Sequence, residues 1–225
     1  MKTKIFLIIA VVFNSFLFSQ DSLNLSYDDT RLIAITPLNS KITTVNGLAI
    51  GLGLDSQYLF KEETALLFQK VNGLNLDINP LGLLLWLFYD PSRIKNVETV
   101  KVNGLSISPA GYFRGISHNG ANISLYNYGH TMNGSMFSLA NFDIEKGNGV
   151  FVALLGISSK EMKGFSLSAF NDTEVLRGVQ IGFVNKNADG KGLQVGLVNK
   201  SKKMRGLQIG FWNKNGKRTL PLLNF

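Results

Sequence analysis

From Gly178 to Lys214 the chain repeats one pattern of apolar and polar positions three times. The copies are GVQIGFVNK, GLQVGLVNK and GLQIGFWNK, beginning at Gly178, Gly192 and Gly206, so the period is 14 residues. The same frame extends backwards through GFSLSAFN at Gly164, GVFVALLG at Gly149, GSMFSLAN at Gly134 and GANISLYN at Gly120. Weaker copies begin at Gly104, Gly73 and Gly47, giving ten units of which the first three are irregularly spaced. Within a unit, apolar residues stand one, three and five positions after the glycine. That is a period of two and predicts a strand rather than a helix. The stretch after each strand, such as NKNADGKG or NKSKKMRG, is polar and turn-rich. Each unit is therefore one strand and a connection, and the chain is all-β.

Position by position, the units agree closely. The third position after the glycine is always apolar, from Ile50 through Phe137 to Ile209. The fourth is small in nine of the ten units, with Asp77 the exception. The seventh is Asn in six of the last seven: Asn127, Asn141, Asn171, Asn185, Asn199 and Asn213. Two positions before the glycine stands Val, Met or Leu in seven of the units, as at Val45, Val71, Met132 and Met204.

Two architectures accommodate such units. In a β-solenoid each unit is one turn of a parallel coil, and equivalent residues stack in ladders about 4.8 Å apart. In an up-and-down outer-membrane barrel the strands alternate direction, and the natural repeat is a hairpin of two strands. The period of 14 shows no odd-even alternation in the connections, which favours a solenoid of about ten units of 14–16 residues. The repeated Asn agrees, because stacked amides hydrogen-bond along a ladder. The barrel remains the alternative, since alternation of apolar with Gly, Ser or Gln is also a membrane-strand pattern, and the chain ends in Phe225. Pro221 interrupts the final TLPLLNF, which suits an end cap better than a paired strand.

The first 19 residues read as a secretory signal peptide: Lys2 and Lys4, then an apolar run to Phe18, then Ser19 and Gln20. About 14 apolar residues are too few to span a bilayer comfortably. Residues 20–103 form a less regular N-terminal β region and cap, and residues 104–225 the tandem repeat. Tyr58 to Gln69 suits a hairpin or short amphipathic helix, and Leu81 to Pro91 a buried strand or capping helix. A membrane-touching patch centred on Trp86 is the sharper reading of the second segment.

The units and the export signal together resemble a family of bacterial surface-repeat proteins, in which tandem GLQIGLVN-like units follow an export signal. The residues that carry the likeness are GVQIGFVNK, GLQVGLVNK and GLQIGFWNKNGKRTLPLLNF, over Gly164 to Phe225, with a weaker likeness in the VNGL segments at Val45, Val71 and Val102. The resemblance implies an envelope or surface location and carries no catalytic residues.

Charge adds a second feature. The formal net charge is +8. From Asp172 to Arg218 ten basic residues face three acids, so this stretch holds nearly the whole excess. Lys186, Lys200 and Lys214 share one position of the repeat. Stacked in a solenoid they would repel unless an anion bridged them, which makes them the candidate anion-binding residues. Acidic glycan or lipid phosphate is the expected partner for an exported chain, outer-membrane association is open, and no nucleic acid is expected. A merely solvated basic face is the plain alternative.

Conventional chemistry is thin. There is no Cys, so there is no disulfide, thiolate site or Cys nucleophile. His118 and His130 fall in connections and lack a nearby carboxylate pair, so no metal site is expected. NKNGKRT has the wrong spacing for a phosphate loop, and no GxSxG elbow occurs. Acids such as Glu62, Glu63, Asp143 and Glu145 sit in polar, turn-like stretches. The expectation is a non-catalytic envelope or surface protein with a structural or binding role and no cofactor. An outer-membrane barrel acting as a channel or anchor comes next, and an exported enzyme acting on an acidic glycan is third.

Overall fold

The computed structural model describes residues 29–54, 68–79, 98–112 and 115–225. The segments 1–19, 58–67 and 81–91, Trp86 among them, lie outside the described residues. Ten strands follow in chain order: β1 (Asp29–Thr36), β2 (Ile42–Gly51), β3 (Gln69–Asp77), β4 (Val100–Tyr112), β5 (Ile116–Tyr128), β6 (Thr131–Leu167), β7 (Phe170–Ile181), β8 (Val184–Val195), β9 (Val198–Asn215) and β10 (Arg218–Asn224). They form one sheet in sequence order, β1 at one end and β10 at the other. Every neighbouring pair from β1 to β9 is parallel. The molecule is a β-solenoid of about 11 turns. The barrel alternative fails on this topology. An up-and-down barrel needs antiparallel neighbours throughout and a closing pair between first and last strands; among the described residues only β9 and β10 are antiparallel, and β1 and β10 stand at opposite ends of the sheet.

Register is set by the glycines that open each unit. Gly47 pairs with Gly73, Gly73 with Gly104, Gly104 with Gly120 and Gly120 with Gly134. Gly164, Gly178, Gly192 and Gly206 continue the row. At Gly192 φ is +138°, and a Cβ there would stand 1.9 Å from the carbonyl oxygen of Gly178. No other residue fits so close an approach of backbone to backbone. One turn, β1, lacks this glycine and so falls outside the ten glycine-led units. It stacks on β2 through Ile33 opposite Leu48 and Ile35 opposite Ile50.

Two kinds of ladder fill the coil. The row two before the glycine is aliphatic: Val45, Val71, Val102, Met132, Met162 and Leu176 are fully buried. Gly190 falls in this row between Leu176 and Met204, and the Met204 sulfur fills the space a side chain would need. The other rows are amide. Gln180, Gln194 and Gln208, two after the glycine, are buried and joined head to tail at 2.9 and 2.8 Å. The seventh-position asparagines are likewise buried. Asn127 donates to Asn141 at 2.8 Å, Asn171 to Asn185 at 2.8 Å, Asn185 to Asn199 at 2.8 Å and Asn199 to Asn213 at 2.7 Å. The row breaks where Ile157 stands in register with Asn171, and the Asn141 amide nitrogen has no partner. The longer steps around Gly149 shift the frame there by one residue.

A third ladder escaped the sequence frame. Asn46, Asn72, Asn103, Asn119, Asn133 and Asn148, each just before the glycine, link in series at 2.6–2.7 Å. Each turn receives one amide hydrogen bond from the next, worth about 1 kcal/mol net.

At the C-terminal end β10 folds back antiparallel on β9, with a register shift between Leu220 and Leu222. Pro221 thus lies at an irregularity in a paired strand, where its missing N–H costs no ladder bond. The ending is a cap, and it is also a strand, contrary to the expectation that Pro221 would keep it unpaired.

Candidate functional site

The apolar positions of the repeat point outward. Leu167 and Ile209, three after the glycine, are exposed, and so are Phe183, Leu197 and Phe211, five after it. Between these two rows run the small fourth-position residues Ser138, Ala153, Ser168, Gly182, Gly196 and Gly210. Two ridges and a low floor make an open groove of about 990 Å³, from Phe137 to the capping Leu222 and Leu223. The floor residues are small for a local reason. β7 bends into β8 at Gly182, where an added Cβ would meet the Ser168 carbonyl oxygen at 2.1 Å. Phe211, at 74% exposed, and Phe183, at 62%, are large apolar side chains left in water. Together they form a contiguous apolar strip that faces solvent.

Beside the groove the outward row turns cationic. Phe170, Val184, Val198 and Trp212 come first, six after the glycine. Asp172, Lys186, Lys200 and Lys214 follow, eight after it and facing out. Asp172 is in register with Lys186, and Lys186 with Lys200. Lys214 holds the same repeat position one turn further on. Lys186 reaches Asp172 at 3.9 Å in a mostly exposed pair. Among the described residues no acid pairs with Lys200 or Lys214.

A second row of cations was missed by the sequence reading. Lys163, Arg177, Lys191 and Arg205 stack in register at the position just before the glycine. They replace the Asn46-to-Asn148 ladder in the last four turns of the groove, while its first two turns keep Asn133 and Asn148. The signal was present, since those positions change from Asn to Lys or Arg in step with the repeat. Part of this row is neutralised. Asp189 accepts from Arg177 at 3.0 Å and faces Arg205 at 3.5 Å. The Arg177 hydrogen bond, with the nearby charges of Arg177, Arg205 and Lys203, holds its carboxyl below the usual range.

Acids gather in one place, two of them Asp143 and Glu145, which lie in β6 rather than in the turn-like stretches expected of them. Asp143, Glu145, Asp172 and Glu174 line a small cleft with Ser158, Ser159 and Lys160. Lys160 donates to Glu145 at 2.7 Å, so the cleft is partly compensated. No group of three or more metal-ligating side chains occurs among the described residues.

The two histidines separate. His130 lies between β5 and β6, half-buried, with Nδ1 3.0 Å from the Thr131 hydroxyl. His118 is not a connection residue as expected. It lies in β5, fully buried in the aliphatic row, in register between Val102 and Met132. Its Nδ1 is 3.1 Å from the Tyr112 hydroxyl. Burial pushes its pKa down to about 4, against the opposing pull of backbone groups of Ala121 and Gly104. Asp77, the one non-small residue on the groove-floor row, is also buried. It accepts from Asn75 at 2.7 Å and Thr36 at 3.0 Å, and burial raises its pKa.

No family model, curated protein or solved structure matches the chain. The fold defines its class, a parallel β-solenoid repeat protein, and no helix among the described residues is long and apolar enough to cross a membrane.

Proposed function

We propose that this chain is an exported, non-catalytic repeat protein of the bacterial envelope or cell surface, working as a binding scaffold. One observation carries the reading. The coil buries its amide ladders beside one aliphatic row and displays the apolar residues of the third and fifth positions, an arrangement useful only if something covers the displayed face. The leader-like start and the likeness of the units to bacterial surface repeats support the location. The carboxylates near Glu145 make the enzyme reading weaker, because a lysine already holds Glu145 and the acids stand at an open surface. Cell fractionation with intact-mass measurement tests the proposal. The protein is expected in the envelope or medium, beginning within a few residues of Gln20. A cytosolic protein retaining Met1 would overturn it.

A further inference from the structure

We propose that the groove face docks on an anionic phospholipid surface, with the apolar ridges entering the interface and Lys186, Lys200 and Lys214 holding lipid phosphates. The inference rests on the binding-scaffold reading above and names its partner.

Three features converge on lipid. First, the ridges are built from Leu, Ile and Phe and project from backbone held rigidly by the ladders inside. Phe183, Leu197 and Phe211 lie in one line on successive turns, so a flat partner meets all of them at once. Second, the row just outside the ridges is aromatic at its end, where Trp212 is 55% exposed. An indole at the boundary between apolar and charged rows matches the headgroup level of a bilayer. Third, the next row is cationic. Lys186 and Lys200 are in register, and adjacent turns are about 4.8 Å apart. Like charges at that spacing repel, and a phosphate between them removes the repulsion. The cations of both rows occur only in the turns that carry the groove. The first two turns of the groove, opened by Gly134 and Gly149, have asparagine just before the glycine, as the turns before them do. Charge and apolar surface thus overlap over the turns from Gly164 to the C-terminal end, as an interfacial element requires. A soluble glycan would use the lysines and leave the ridges idle. An apolar peptide would use the groove and leave the lysines idle.

The test is co-flotation of the mature protein with vesicles of phosphatidylcholine alone, and of phosphatidylcholine mixed equally with phosphatidylglycerol. Binding to the mixed vesicles is expected, falling steeply as salt is raised. Trp212 fluorescence, read in a Trp86→Phe background, should shift to the blue and be quenched by lipids brominated on the acyl chain. The triple variant Lys186→Glu, Lys200→Glu, Lys214→Glu should bind roughly a hundredfold more weakly, at the usual contribution of each cation near an anionic surface. The variant Phe183→Ser, Leu197→Ser, Phe211→Ser should lose at least about tenfold. These side chains are exposed, and unchanged circular dichroism checks that both variants keep the fold. Failure of the wild-type protein to float with mixed vesicles at low salt overturns the proposal. So does equal binding by the serine variant, or equally tight binding to dextran sulfate, which would make the cations a glycan site. Cellular location does not enter this assay, so its failure leaves the export reading standing, and a cytosolic location leaves the lipid result standing.

Discussion

At Gly192 the chain permits no side chain. The backbone has positive φ, and an added Cβ would overlap the Gly178 carbonyl oxygen. Gly192→Ala should cost about 2–4 kcal/mol from strain and overpacking together. Gly156 is the control, because its Cβ would find its nearest neighbour at 3.4 Å. Gly156→Ala should stay within about 0.5 kcal/mol of wild type. Urea titrations of both variants give the comparison, and equal losses would contradict the close-approach account. His118 gives a residue-scale prediction in pH. Its folded pKa of about 4 lies below the ordinary histidine value of 6.5. The unfolded chain therefore binds the proton first, and stability is lost as pH falls from about 6.5 towards 4. The full loss is about 3 kcal/mol for this one group. Asp77, with its pKa raised by burial, works in the opposite sense, its stabilisation fading as pH rises above the ordinary carboxylate value. The difference between wild type and His118→Met isolates the histidine, since Met132 occupies the same row one turn on. Thermal melts across this range should show a slope in wild type that the variant lacks. Parallel curves would mean that His118 is not held neutral.

A single turn is the element of this fold. Deleting Gly192 to Arg205 joins Lys191 to Gly206 and removes one turn with its frame intact. Gly178 then stacks on Gly206, Gln180 on Gln208 and Asn185 on Asn213, so the glycine and amide rows are each one member shorter and unbroken, while the aliphatic row loses Met204 from beside Gly190. Each turn contacts only its neighbours. The variant should fold, keep β-type circular dichroism, and lose about 1–2 kcal/mol, the share of 14 residues at ordinary stability per residue. Its urea m-value should fall slightly as well, because less surface is exposed on unfolding. An unfolded product, or an aggregate, would show that the turns cooperate beyond nearest neighbours. Equivalent deletions should not be equally tolerated everywhere. Near Ile157 the asparagine row is already broken, and removing a turn there changes the frame as well as the length.

Across the whole molecule, the sequence by itself determined the unit, its period and the strand within it. It also favoured parallel over antiparallel stacking, because a hairpin barrel would repeat every two strands and this chain repeats every one. Asn127, Asn185 and their equivalents were legible as ladder members for the same reason. What only the tertiary structure decided is which face lies inside. Alternation with period two reveals two faces and does not say which is buried. The choice falls to the width of the coil. A thin coil has room for side chains that lie along its axis and satisfy one another from turn to turn, as Gln180, Gln194 and Gln208 do. Leu, Ile and Phe at the third and fifth positions are left outside, where they form the groove. Tertiary structure also placed His118 in the core, added β1, which has no glycine to mark it, and turned the Pro221 segment back as a paired cap. It aligned Lys163, Arg177, Lys191 and Arg205 behind the asparagine row as well. Each of these depends on contacts between turns, and stacking distance is a property of the coil rather than of any one stretch of chain.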